Sequence, residues 1–92
     1  MTTEHATPVT DVDRALIGTL ELDGSDVPYV DLEDEPRIAS RLRVGDIEYA
    51  YERTFPVKGH SAVMPAAVSE LVAAGKRILV AERGERYYLY VA

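Results

Sequence analysis

The chain contains no cysteine, which rules out disulfide bonds and thiolate metal sites. A fold without disulfides depends on its core and suits a reducing compartment, so we expect a cytoplasmic protein. No apolar run reaches the ~18 residues that a membrane-spanning helix requires, so we expect no membrane partner. Met1–Thr10 has neither a basic nor an apolar stretch and therefore does not predict a signal peptide.

Lysine is scarce too, with only Lys58 and Lys76, and the 92 residues carry a net charge of −6. Through Pro36, ten acidic residues accompany a single base, whereas from Arg37 onward nine bases accompany six acids. A basic C-terminal part can mark a surface for nucleic acid or for self-association. The alternative is an ordinary acidic shell, of the kind that hydrates proteins in a salt-adapted cytoplasm.

The hydrophobic pattern predicts one α+β domain at 12–92 after a disordered N-terminal tail at 1–11. Alternating apolar and polar residues indicate about six strands in the order β-β-β-β-α-β-β, with the first four forming a meander. We expect a mostly antiparallel sheet, twisted or partly barrel-like, with one helix near 65–75. The predicted strands are Val12–Leu22, Val27–Leu32, Arg37–Val44, Ile47–Phe55, Ile78–Glu82 and Arg86–Ala92.

Local sequence signals predict one hairpin and both ends of the helix. Gly45-Asp46 between two alternating runs predicts a two-residue hairpin. Pro65 suits the first helical turn, and Gly75 suits the left-handed position after the last turn. The helix stripe, which includes Val68, Leu71 and Val72, is narrow. We therefore expect part of the sheet to stay uncovered.

Arginine and tyrosine alternate with other residues along the C-terminal strands, and both are favoured anchors of protein interfaces. The sequence thus predicts a non-catalytic interaction module that binds a protein partner or a second copy of itself. Contact would use these strands or an open sheet edge, for which the final strand is the candidate. The candidate residues are Arg41, Arg43, Tyr49, Tyr51, Arg53, Arg86, Tyr88 and Tyr90.

Two alternatives use overlapping or neighbouring residues. The same cations and rings suit stacking on nucleic-acid bases combined with phosphate contacts. Because Tyr49, Tyr51, Arg53 and Phe55 fall on one face by alternation, that face can instead pack beneath the helix. The second alternative is an anion site at Lys58, His60 and Ser61, just before the helix.

The sequence patterns that could indicate catalysis are weaker than those that indicate interaction. The Lys58–Ser61 loop lacks the spacing of a phosphate-binding loop. The acidic pairs Glu48/Glu52 and Glu82/Glu85 are better explained as surface pairing partners of arginine. The acidic turn at 31–35 favours solvation over a cation site, so we expect no metal and no cofactor.

Overall fold

A computed structural model of the protein describes residues 9–22, 24–33, 39–59 and 63–92. These residues form seven strands and one α-helix, with one 3-10 turn after the first strand. The elements are β1 (Val9–Asp11), β2 (Gly18–Leu22), β3 (Ser25–Asp31), β4 (Arg41–Val44), β5 (Ile47–Pro56), α1 (Met64–Ala73), β6 (Ile78–Arg83) and β7 (Arg86–Val91). Within them, no helix has the length and apolar character that crossing a bilayer requires.

The strands form one mixed sheet in the order β1-β4-β5-β7-β6-β3-β2. Pairing is antiparallel except between β1 and β4 and between β3 and β6. With one helix packed against this mixed sheet, the fold is α+β. The sheet is mostly antiparallel as predicted and has seven strands instead of about six, but the predicted meander of the first four strands is wrong, because β3 and β4 are not neighbours. The final strand β7 is central, not an edge, because its near-continuous apolar run suits a strand that is covered on both faces.

The N-terminal part also departs from the prediction of one long strand at Val12–Leu22. The carboxylate of Asp13 accepts a 2.9 Å hydrogen bond from the Ala15 amide and starts a 3-10 turn over Arg14–Leu16. Asp side chains often divert the backbone in this way. Val9–Asp11, assigned to the tail by the sequence, pairs with β4 as β1, while residues 1–8 lie outside the described part.

Helix α1 ends as its sequence predicts. Gly75 adopts φ +81°, and its amide donates to the Val72 carbonyl oxygen at 2.9 Å, while the Lys76 amide donates to that of Leu71 at 3.0 Å. This pattern is a Schellman motif. The predicted stripe is wrong at Val72, which is 56% exposed. Ala67 and Val68 are buried as predicted, Leu71 is partly buried, and Met64 is buried in addition.

Strand β5 contains a bulge that decides which side chains share a face. Tyr51 pairs with Tyr90, yet Arg53 pairs with the next residue of β7, Leu89, so Glu52 is an extra residue. An extra residue inverts the alternation beyond it. The expectation that Tyr49, Tyr51, Arg53 and Phe55 share one face is therefore wrong.

The sheet buries apolar clusters on both of its faces. The helix face packs beneath α1, and its buried residues are Leu22, Val27, Phe55, Met64, Ala67, Val68, Ile78, Val80, Tyr87 and Leu89. The opposite face, here called the tyrosine face, buries Val12, Val30, Leu32, Ala39, Leu42, Val44, Tyr49, Leu79, Ala81 and Tyr90. Because residues of β1 and of β3 line one pocket across four intervening strands, the sheet curls strongly over its tyrosine face.

Candidate interaction surface

Three tyrosines from β5 and β7 meet on the tyrosine face. The ring centroid of Tyr51 lies 6.1 Å from that of Tyr90, its register partner, and 6.3 Å from that of Tyr88. The ring planes are inclined by 72° and 52° respectively, and edge-to-face geometry is one of the favourable arrangements of aromatic pairs. Tyr90 is fully buried and Tyr88 is half-buried, whereas Tyr51 is 45% exposed. Two of the three rings are therefore at least partly open to contact.

Tyr90 fixes the base of this cluster. Its hydroxyl donates a 2.7 Å hydrogen bond to the carbonyl oxygen of Ala39. Burial, with a smaller effect of the neighbouring Tyr88 and Tyr51, raises the pKa of Tyr90 to about 12. The hydroxyl thus stays protonated and keeps donating throughout the physiological pH range.

Tyr51 is held from its own strand as well. The Tyr51 hydroxyl and Thr54 Oγ1 lie 2.6 Å apart in a hydrogen bond, and the Tyr51 amide donates to the Ser40 carbonyl oxygen at 2.9 Å. The bulge brings Thr54 onto the tyrosine face, where it pairs with Tyr88. Sequence reasoning missed Thr54, because strict alternation places it on the opposite face from Tyr51.

Two arginines lie at the end of this surface, where the Glu33 carboxylate also accepts a 3.1 Å hydrogen bond from the Gly84 amide. Arg83 and Arg86 are register partners in the β6–β7 hairpin, and residues paired in this way project from one face. Alternation along β7 places Arg86 on the same face as Tyr88 and Tyr90. Arg86 is exposed and is the residue next to Tyr88 on this face of β7.

The remaining predicted interaction residues do not join this surface. Tyr49 is buried in the core of the tyrosine face. Arg41 and Arg43 project from the other side of β4, where they form exposed ion pairs of 2.9 Å with Glu48 and of 2.7 Å with Asp11. The hydrogen bond from Arg43 lowers the pKa of the Asp11 carboxyl.

Arg53 is likewise separated from the open tyrosines. Its guanidinium carbon lies 5.0 Å from the ring centroid of Phe55, within the range of a cation–π contact. Phe55 belongs to the cluster on the helix face, because both residues follow the bulge. The basic and aromatic residues that the sequence presents as one set are thus divided between two faces.

The predicted anion site falls only partly within the described residues. Lys58 is exposed after β5, whereas His60 and Ser61 lie outside the described residues. Glu82 accepts a 2.6 Å hydrogen bond from the Tyr29 hydroxyl, and burial together with this bond raises the pKa of Tyr29. In the described part of the chain, no group of three or more His, Asp or Glu side chains could hold a metal ion.

Helix α1 and the β2–β3 hairpin border a groove that the sequence does not indicate. Its volume is about 430 Å³. Val68 and Val72 line it from the helix, and Leu22 and Val27 line it from the hairpin. The sequence does not predict this groove, because the helical pattern places Val72 among the buried residues.

Comparison with protein-family models, curated proteins and solved structures finds no match for this chain.

Proposed function

We propose that this chain is a small non-catalytic interaction module that binds a protein partner through Tyr51, Tyr88 and Arg86. The observation that carries the proposal is the pair of open rings, Tyr51 and Tyr88, held over the buried ring of Tyr90. Half-exposed aromatic side chains surrounding a packed centre are the usual anchors of protein interfaces.

The rigidity of these side chains strengthens the proposal. Tyr51 is held by its bond to Thr54 and by its strand pairing. A side chain that is already ordered loses little conformational entropy when a partner binds. Tyrosine adds a large contact area with few rotatable bonds.

The charge of the surface indicates the chemistry of the partner. Arg83 and Arg86 stand opposite each other at the end of the face, and a second copy related by a two-fold axis would add further guanidinium groups there. A surface with an apolar patch and a carboxylate would pair with Arg86 instead. We therefore favour a different protein as partner, with self-association as the competing outcome.

Nucleic-acid binding has weaker support from the same geometry. Arg41, Arg43 and Arg53, which would contact phosphates, lie away from the open rings. A net charge of −6 also opposes long-range attraction to a polyanion.

Because the chain lacks cysteine, we also propose that the module works in the reducing cytoplasm.

Site-specific photo-crosslinking in cells tests the proposal. A photoreactive phenylalanine at position 51 should crosslink one protein, whereas the same residue at position 41, on the other side of the sheet, should not. The purified pair is then titrated calorimetrically. We expect Tyr51→Ala, Tyr88→Ala and Arg86→Ala to weaken binding about tenfold or more, and Arg41→Ala to leave it unchanged.

Other results would overturn it. Equal crosslinking at both positions would contradict the proposed binding surface. An affinity that Tyr51→Ala does not change would contradict it too. Light scattering across a concentration series detects a dimer, and a dimer that Tyr51→Ala abolishes would replace the heterologous partner with a second copy. Binding of single-stranded oligonucleotides at low salt, weakened by Tyr51→Ala, would replace a protein partner with nucleic acid.

A further inference from the structure

A second surface lies on the helix face, where the free edge of β2 meets the groove beside α1. Strand β2 pairs only with β3 and ends the sheet. In the part of the chain that the structure describes, its outer side therefore has no ladder partner. The groove of about 430 Å³ runs between this hairpin and the helix, and Val72 stands at its rim with 56% exposure.

The register of the hairpin shows which groups an added strand would meet. Thr19 pairs with Pro28, which has no amide hydrogen, and Leu22 pairs with Ser25 next to the turn. Hydrogen-bonded and non-hydrogen-bonded pairs alternate in an antiparallel ladder. The backbone N–H and C=O groups of Thr19 and Glu21 therefore point outward, away from β3.

The side chains of the edge alternate in the same way. Leu20 and Leu22 lie on the helix face and are partly or fully buried. Glu21 and its register partner Asp26 project from the opposite face and are exposed. The hairpin from Gly18 to Asp31 contains no lysine or arginine. The edge thus presents leucines toward the groove, whose lining also includes Ser25, Asp26 and Ser69, and carries the Glu21 carboxylate on its other side.

We propose that this edge binds an extended segment of a partner protein in which basic and apolar residues alternate. The segment adds a strand to β2 through the backbone groups of Thr19 and Glu21. Its apolar side chains enter the groove beside Leu22 and Val72. Its lysine or arginine side chains lie beside Glu21 and Asp26.

The same charges argue against a second copy of this chain as the occupant. Two β2 strands side by side would bring together their Glu21 side chains, each already next to Asp26 of β3, and adjacent like charges destabilise a strand pair. Acidic side chains on an edge are a known protection against self-pairing. The apolar groove next to that edge is the additional feature that would accept a strand of opposite charge.

A labelled model peptide tests the proposal. The probe is a short fluorescein-labelled peptide that alternates lysine with valine, compared with a glutamate–valine version and with one N-methylated on alternate amides. Fluorescence anisotropy should show binding of the lysine peptide that weakens with salt. Both comparison peptides should bind about tenfold more weakly or worse.

Variants of the protein assign the binding to this edge. Val72→Glu, at an exposed position, should weaken the lysine peptide about tenfold, whereas Val63→Glu, 50% exposed and outside the groove, should not. Glu21→Lys with Asp26→Lys should reverse the preference toward the glutamate peptide. In NMR spectra, the amides of Thr19 and Glu21 should shift and become protected from exchange.

Several results would overturn the proposal. They are the absence of binding, equal binding of the N-methylated peptide, insensitivity to Val72→Glu, and shifts confined to Tyr51 and Tyr88. The Tyr51→Ala variant should bind the lysine peptide normally, so failure at one surface is distinguishable from failure at the other.

Discussion

The hydroxyl of Tyr90 donates its hydrogen bond to the carbonyl oxygen of Ala39 across 2.7 Å, joining central strand β7 to the segment before β4. The two residues are 51 apart in the sequence, and both are buried. This bond connects the surface of the open tyrosines with the core beneath it. It also provides the most direct test of how that surface is supported.

Replacing Tyr90 by phenylalanine removes this bond while keeping the ring. The Ala39 carbonyl oxygen then stays buried without its donor, so we expect the free energy of unfolding to fall by about 1–3 kcal/mol. Urea denaturation measures the change. Tyr88→Phe, in the same cluster but half-buried, serves as the control and should cost less than half as much. Equal losses in the two variants would contradict the role of the bond.

Alkaline pH should destabilise the protein through the same residue. Because burial raises the pKa of Tyr90 to about 12 from the ordinary 10.0, the unfolded chain releases this proton before the folded one does. Its contribution is fully present below pH 10 and is lost as the pH rises toward 12, a change on the order of 2–3 kcal/mol. Burial and Glu82 also raise the pKa values of Tyr29 and Tyr87, which adds to the same trend.

Tyrosinate absorbance and urea unfolding, followed together across this pH range, check the expectation. In the wild type, part of the tyrosine absorbance change should coincide with unfolding. Tyr90→Phe should reduce the slope of stability against pH above 10. A wild-type slope that this variant leaves unchanged would show that Tyr90 ionises in its ordinary range.

The β6–β7 turn contains a residue in an unfavourable conformation. Gly84 and Glu85 have φ values of +60° and +62°, as a type I′ hairpin turn requires at both central positions. Glutamate in the left-handed region costs roughly 1 kcal/mol or more, whereas asparagine tolerates it. We therefore expect Glu85→Asn to raise the free energy of unfolding by about 0.5–1 kcal/mol.

Gly84→Ala provides the opposite measurement in the same turn. A Cβ added at Gly84 would meet no atom within 4 Å, so any loss reflects backbone conformation alone. We expect about 1 kcal/mol of destabilisation. Denaturation midpoints that move in the same direction for both variants would be inconsistent with this turn geometry.

Local features of the fold could be read from the sequence, and long-range ones could not. The Gly45-Asp46 hairpin and the Gly75 helix end involve a few neighbouring residues whose backbone preferences are strong. The central position of β7 and the parallel pairing of β3 with β6 depend on which surfaces bury each other. The period of the hydrophobic pattern does not indicate which strands become neighbours.

The candidate site shows the same division. Alternation along β7 correctly brings Arg86, Tyr88 and Tyr90 to one face, since β7 has an unbroken register with β6. Alternation along β5 fails, because the bulge at Glu52 depends on β5 and β7 fitting together. Tyr51 therefore joins Tyr88 and Thr54, while Arg53 follows Phe55 to the helix face.

Deletion of Glu52 tests whether this residue is the extra one in β5. Tyr51 and Arg53 then become neighbours, as their register partners Tyr90 and Leu89 already are, so β5 alternates regularly and Phe55 keeps its 2% exposed place on the helix face. Because the buried side chains of β5 stay on their faces, we expect the deletion variant to fold and to lose no more than about 2 kcal/mol of unfolding free energy. Glu52→Ala keeps the bulge and removes only an exposed carboxylate, so it should stay within about 0.5 kcal/mol of the wild type. Circular dichroism with urea denaturation compares the two, and a deletion variant that loses the ~3–5 kcal/mol expected of a displaced buried phenylalanine would contradict the assignment of Glu52 as the extra residue.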